Sequence, residues 1–279
     1  MTMFRRPSWT MPDHDPEAFQ ASLVDHLEEL RTRLFRCLIA LVVGWTIGWF
    51  IEPWFYGLVD RIAQRSIIPQ LPKGVEFKEV FHSATAPFML KMKLSLSLGL
   101  IVVIPFIVLQ LWGFVAPGLR PREQAPFRRL APASAILFVI GASLGWYTMP
   151  SALGWFATYA EDFPGTNVFQ EAGGLATLFI KMMTAFGIAF QLPLIVFALG
   201  MLNLLSAATL MKYWRHSATF IVIAAAVITP SNDPFSMLMM AIPMLILFMG
   251  SVYAVKYAQR NRPILPEDSD EEVPSLSTL

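Results

Sequence analysis

The chain has 279 residues, 55% of them hydrophobic and only 15% charged, whereas a soluble domain carries nearer a quarter charged. Its net charge of +1 lacks the basic excess of a nucleic-acid binder. Its single cysteine, Cys37, excludes an intramolecular disulfide and reads as a packing residue.

Six apolar runs instead predict an all-α integral membrane protein, since about 20 apolar residues carry a helix across the hydrocarbon core. Residues 1–33 are polar and show no cleavable leader, so they read as a cytoplasmic N-terminal segment with a surface helix. Ser22-Leu-Val-Asp25 fits the start of that helix, with Ser22 as N-cap and Asp25 three residues on. The helix continues through His26-Leu-Glu-Glu29-Leu30-Arg31-Thr-Arg33 into the first span, Leu34–Ile51. Glu29 and Arg33 stand four apart in the favourable order, which suits an ordinary helix ion pair. The same carboxylate at a membrane surface suits a receptor for a cation, and spacing leaves both readings open.

The second span is predicted over about Leu94–Val115, with Lys91 and Lys93 snorkelling at its start. Pro117-Gly118 ends it. Pro121 then suits the first turn of a short helix and places Glu123 near a helix N-terminus, where negative charge is favoured. Local pairing of Glu123 with Arg120 or Arg122 is the competing reading. The third span, Leu130–Met149, contains Gly141-Ala-Ser143-Leu-Gly145. That pattern belongs to serine hydrolases only in a strand–turn–helix context. Here it lies inside an apolar helix, and all four histidines fall outside the apolar runs, so it reads as a small-residue packing face. The fourth span covers about Leu175–Leu199, with Lys181 in its first turns. The last two, Ser217–Ile228 and Met237–Tyr253, are short. The fifth either extends into Met211–His216 or meets a thinned bilayer. Asp233, in the turn Thr229-Pro-Ser-Asn-Asp-Pro234, suits a turn or helix cap. If the turn dips into the bilayer, backbone N–H groups would hold that carboxylate. Residues 34–258 thus form a six-span membrane domain, and the acidic, Pro-rich stretch 259–279 reads as a disordered cytoplasmic tail.

Lysines and arginines concentrate before the first span, in the 2–3 and 4–5 loops and after the sixth span. The 1–2 loop breaks the contrast with Arg61, Arg65, Lys73 and Lys78. The balance still places both termini in the cytoplasm. The long 1–2 and 3–4 loops are expected to form an outer cap. No phosphate-binding Gly-rich loop ending in Lys-Ser/Thr is present, so ATP is not the direct energy source. No cluster has metal-ligand spacing, and no cofactor is expected. A small-molecule secondary transporter would place ionisable groups near the midplane, whereas Lys181 is the only clear charge inside a run and sits near its end.

Several segments together resemble the TatC family, the receptor component of the twin-arginine protein translocase. They are His26-Leu-Glu-Glu-Leu-Arg31, Ala86-Pro-Phe88, Gln110-Leu-Trp-Gly-Phe114-Val-Ala-Pro117-Gly-Leu119, Glu123 with Arg128-Arg129, Ala185-Phe-Gly187 with Phe190-Gln191-Leu-Pro193, Thr229-Pro230 with Asp233, and Ala241-Ile-Pro243. The resemblance implies a cup-shaped six-span bundle in a bacterial inner membrane, and a transport role rather than an enzymatic one. It implies that twin-arginine signal peptides of folded cargo bind at the cytoplasmic face. It also implies homo- and hetero-oligomers with TatA-type and TatB-type single-span proteins, with the proton-motive force as energy source. The family's signal-contacting positions map onto Glu29, Phe114 and Glu123, with Leu30 and Arg31 in the same N-terminal motif. Pro117 falls in the motif that ends the second span, and the family's acid in the last outer turn maps onto Asp233. Two departures stand out. Gln191 replaces a carboxylate usual in the fourth span. Met237 and Met249 stand where polar or acidic residues are often found in the sixth. Gln191 can anchor a partner helix by hydrogen bonding but cannot titrate.

Overall fold

The structure, a computed structural model, describes residues 16–115, 121–163, 167–202, 204–229 and 233–260. Its side chains are described within 26–114, 130–163, 167–202, 204–229 and 233–259. Eight helices run in chain order among the described residues: α1 (Pro16–Ile67), α2 (Ala86–Val115), α3 (Pro121–Thr158), α4 (Gly174–Ala189), α5 (Leu192–Met201), α6 (Ala207–Lys212), α7 (Trp214–Ile228) and α8 (Pro234–Arg260). The described residues also include two short strands, β1 (Phe77–Val80) and β2 (Val168–Glu171).

Among the described residues, five helical stretches are long and apolar enough to cross a bilayer: His26–Gln70, Ala86–Phe114, Leu130–Asp162, Gly174–Met201 and Pro234–Gln259. Many of their large apolar side chains face outward, as on α1 at Ile39, Val42, Phe50 and Trp54. A surface of that kind suits lipid rather than water. The expected fifth span, α7, begins at Trp214, separated from α6 at Tyr213. Its 15 residues reach only about 22 Å at 1.5 Å per residue. The last span is not short, contrary to the sequence expectation. α8 has 27 residues, because Ser236 and Gln259 extend the apolar run as helix at either end.

The first span also differs from expectation. Its helix passes through Pro53 and continues to Ile67, where the sequence suggested a loop. Phe55, Val59, Ala63 and Ile67 recur every four residues and are all buried, while Gln64 donates to Asp60 at 3.0 Å on the exposed side. The charges there belong to the polar face of an amphipathic helix. The fourth span is broken into α4 and α5 at Phe190-Gln191. Pro193 has no N–H to give the carbonyl of Ala189, four residues back, so the ladder is interrupted.

The two long loops meet. β1, from the loop after α1, pairs in parallel with β2, from the loop after α3, in the register Phe77↔Val168 to Val80↔Glu171. Tyr56 of α1 donates its hydroxyl to Glu79 of β1 and ties this ladder to the bundle. Beside it, the Lys78 ammonium lies 2.6 Å from Glu76 and holds that exposed carboxyl below its ordinary range. Under the ladder the core is built from Phe55 of α1, Trp146 and Met149 of α3 and Phe179, Met182 and Phe186 of α4. The Trp146 ring sits 5.8 Å from Phe55 and 5.0 Å from Phe179.

Two helix pairs are drawn together by small residues. α1 and α2 run antiparallel with Gly44 against Gly99 and Gly48 against Ser95. Their backbones are so close that a Cβ at Gly48 would strike the Ser95 carbonyl, and one at Gly99 would strike Gly44. α3 meets α4 in the same way, with Gly141 against Phe186 and Gly187, and Gly145 against Met182. Ser143, between those glycines, is exposed and donates to the Val139 carbonyl at 2.8 Å. The hydrolase-like pattern is thus a packing face. Gly48→Val should lower the melting temperature of the purified protein sharply, since forcing bulk into such a contact costs about 1–3 kcal/mol. Gly57→Ala, where nothing lies within 4 Å, should leave it unchanged or raise it.

Candidate functional site

The antiparallel register of α1 and α2 brings the start of α1 to the end of α2. Four residues up α1 from Gly44 to Gly48 match four residues down α2 from Gly99 to Ser95. The same register sets Arg33 opposite Gln110. Arg33 donates to Glu29 Oε1 from Nε at 3.1 Å and from Nη2 at 2.5 Å. Its third nitrogen, Nη1, lies 3.4 Å from the Gln110 carbonyl oxygen and 3.5 Å from Gln110 Oε1. Gly113 makes room for the guanidinium, for a Cβ there would collide with Arg33 Nη1. The two side chains are only 22% and 31% exposed, so the pair is shielded from much of the screening that weakens surface ion pairs.

Phe114 joins the same assembly. Its ring stacks on His26, with centroids 4.4 Å apart and an interplanar angle of 18°. His26 Nδ1 lies 3.9 Å from Glu29 Oε2. Glu28, Glu29, Thr32, Arg33 and Arg36 line an open crevice of about 390 Å³ at this end of the bundle. Leu30 is exposed on the adjoining face, and the Arg31 guanidinium lies 5.7 Å from the Phe35 ring centre. Glu123 falls in the first turn of α3, but its side chain lies outside the described residues. Pro117 lies outside them altogether. The chain from Val115 to Pro121 reaches at most about 22 Å when extended, so the α3 start stays close to the end of α2.

Gln191 sits at the α4–α5 break, and its amide nitrogen donates to the Ser134 carbonyl of α3 at 3.1 Å and to the Gly187 carbonyl at 3.4 Å. The amide is used inside the chain, to hold the broken helix against α3. An ionised carboxylate has no hydrogen to give these carbonyls. At the opposite end of the bundle, Asp233 caps α8: Oδ1 accepts the Ser236 N–H at 2.7 Å. Asp233 is 3% exposed. Among the described residues, its Oδ2 and the Ser236 hydroxyl have no hydrogen-bond partner. Asp233, Thr229, Pro234 and Met237 line a small cavity of about 160 Å³. Met249 of α8 packs against the main core.

Sequence reasoning missed three contributors. Gln110 and Gly113 come against Arg33 only through the helix register. Gln259, near the end of α8, accepts from the Ala207 N–H at 3.2 Å and donates to the Gly200 and Leu205 carbonyls at 3.2 Å. It ties α5, α6 and α8 together, and no local signal marks it.

These features define a class, a multi-span helical membrane protein whose polar chemistry gathers at the helix ends rather than at mid-span. Residues 25–243 match the TatC family, described as Sec-independent protein translocase protein (TatC), and the chain belongs to that family. The TatC of Carboxydothermus hydrogenoformans is 33% identical over 237 residues, covering 85% of this chain and 93% of its own. The chloroplastic TATC of Pisum sativum is 31% identical over 246 residues, covering 88% of this chain and 67% of its own. In three dimensions the chain matches a crystal structure of a twin arginine translocase receptor, TatC. The TM-score is 0.66 at 27% identity, over 84% of this chain and 100% of that one.

Asp233→Ala should lower stability by about 0.5–2 kcal/mol, the usual cost of losing a helix cap. Asp233→Asn keeps the capping oxygen and should cost less. Thermal unfolding of the two variants in detergent checks the order.

Proposed function

We propose that this chain receives twin-arginine signal peptides at the end of the bundle where α1 starts and α2 ends. The observation that carries the reading is the crevice itself. Beside it, among the described residues, the packing of α1 on α2 brings the Glu29 carboxylate, the Gln110 oxygens and the Phe114 ring together. Glu29 and, from the first turn of α3, Glu123 each take one guanidinium of the arginine pair. Arginine presents a planar fork that a carboxylate accepts through two hydrogen bonds, whereas lysine presents a point charge. The signal's apolar segment then follows α2 past Phe114.

The receiving face is cytoplasmic in this reading. Arg31, Arg33 and Arg36 lie on α1 at this end, Arg122, Arg128 and Arg129 on the first turns of α3, and Lys212, Arg215, Lys256 and Arg260 on α6, α7 and α8 beside the elements that Gln259 joins, which outnumber the lysines and arginines toward the opposite end. Such an excess of positive charge marks the inner side of a membrane protein. We count α7 as a sixth span at a thinned patch of bilayer, which puts both termini inside in a bacterial inner membrane. The bundle is then a cup, with the β1–β2 ladder as its outer cap. The chain works with single-span TatA-type and TatB-type partners and draws on the proton-motive force.

Photo-crosslinking of an arginine-pair signal peptide to the protein in membranes tests the site. Glu29→Gln and Glu123→Gln should each lower the yield about tenfold or more, because a hydrogen bond to a charged group contributes roughly 1.5–3 kcal/mol. A lysine-pair peptide should crosslink poorly to the unaltered protein. Full binding and export by the double variant would end this assignment. The partner surface has its own test. Gln191→Leu should lower thermal stability by about 1 kcal/mol through its lost hydrogen bonds. If crosslinking to a single-span partner is unchanged in that variant, Gln191 serves the fold and is no partner anchor.

A further inference from the structure

One wall of the crevice is already a guanidinium, that of Arg33. Its Nε and Nη2 take Glu29 Oε1, its Nη1 reaches both oxygens of Gln110, and the bare Cα of Gly113 leaves the space it occupies. Acceptors from two helices converge on one planar cation, which is more than an ordinary pair four residues apart on one helix would need. We propose that Arg33 is the resident occupant of this seat, and that an incoming signal arginine enters by displacing it. The inference rests on the signal-peptide reading above and adds a competitor inside the receptor.

The exchange has a consequence for recognition. When a signal arginine takes Glu29, one guanidinium–carboxylate pair forms and another breaks. The first arginine therefore gains less than it would at an unpaired carboxylate, though enough that loss of Glu29 is felt, and the displaced Arg33 stays beside the Gln110 oxygens. The larger share of net affinity comes from the second arginine and the apolar segment. A peptide with one arginine merely repeats the pair already present. A lysine cannot reproduce the fork and loses the exchange outright. The demand for two arginines thus follows from one carboxylate being occupied before the peptide arrives.

The test uses the full chain in lipid nanodiscs and photo-crosslinkable signal peptides bearing Arg-Arg, Lys-Arg or Lys-Lys. Arg33→Lys keeps a charge beside Glu29 and so protects folding, while weakening the occupant. Arg33→Gln removes the cation. Binding of the Arg-Arg peptide should rise in the order unaltered, Arg33→Lys, Arg33→Gln, by about tenfold across the series. The gap between the Arg-Arg and Lys-Arg peptides should narrow in the same order. Melting temperatures measured alongside identify any variant that is simply misfolded, and the lysine variant then decides. Binding that is flat or falls along the series, while Glu29→Gln still abolishes it, overturns the competitor and leaves the site reading standing. If Glu29→Gln has no effect in any background, the site reading itself has failed and the competitor with it.

Discussion

The close approach of α1 and α2 is the constraint on which the rest depends. Gly44, Gly48, Ser95 and Gly99 remove the side-chain bulk that normally separates two helices, and the backbones come into contact. In a bilayer there is little hydrophobic drive for helices to associate, so small residues and close van der Waals packing must supply it. A contact this close also fixes register, because sliding by one residue would push a Cβ into a carbonyl. Everything along the seam inherits that register. The Lys91 ammonium lies 4.7 Å from the centre of the Trp49 ring at one end. At the other, Arg33 meets Gln110 and His26 meets Phe114. Glycines some four turns from the crevice thus help to determine which atoms meet inside it.

Much of the bundle was legible from apolar runs alone, since lipid selects for length and hydropathy. Helix ends were less legible. Asp60, Arg61 and Arg65 look like loop charges until Phe55, Val59, Ala63 and Ile67 are seen as one buried stripe. The break in the fourth span had a readable cause in Pro193, and Gly44 and Gly48 stand at the spacing of a helix-packing motif. The candidate crevice was half legible. Glu29 and Arg33 are neighbours on one helix, so spacing finds them. Gln110 is 77 residues from Arg33, and only the packed register joins them. Gln191 stands out in sequence as a lone amide in an apolar run, but its donation to Ser134, 57 residues away, is visible only once α3 and α4 are packed.

The polar groups of this protein are placed by what a membrane permits. Where backbone groups lose their partners inside the bilayer, they must be satisfied within the protein. Gln191 meets that need at the α4–α5 break, and Gln259 meets it where α5, α6 and α8 converge. A neutral amide carries out this task without the desolvation cost of a charge. Ion pairs stand instead at the ends of the bundle, Arg33 with Glu29 at one and Lys78 with Glu76 at the other.

The short ladder between β1 and β2 has a mechanical consequence. Each strand leads into a helix, β1 into α2 and β2 into α4, and the strands run side by side in the same direction. Two hairpins, α1–α2 and α3–α4, are therefore geared at one rim. A thrust along α2 is passed to α4 as shear across four paired residues, and from α4 to the bend at Phe190-Gln191. Load arriving at that rim can reach the bend through paired backbone and the axis of α4 alone.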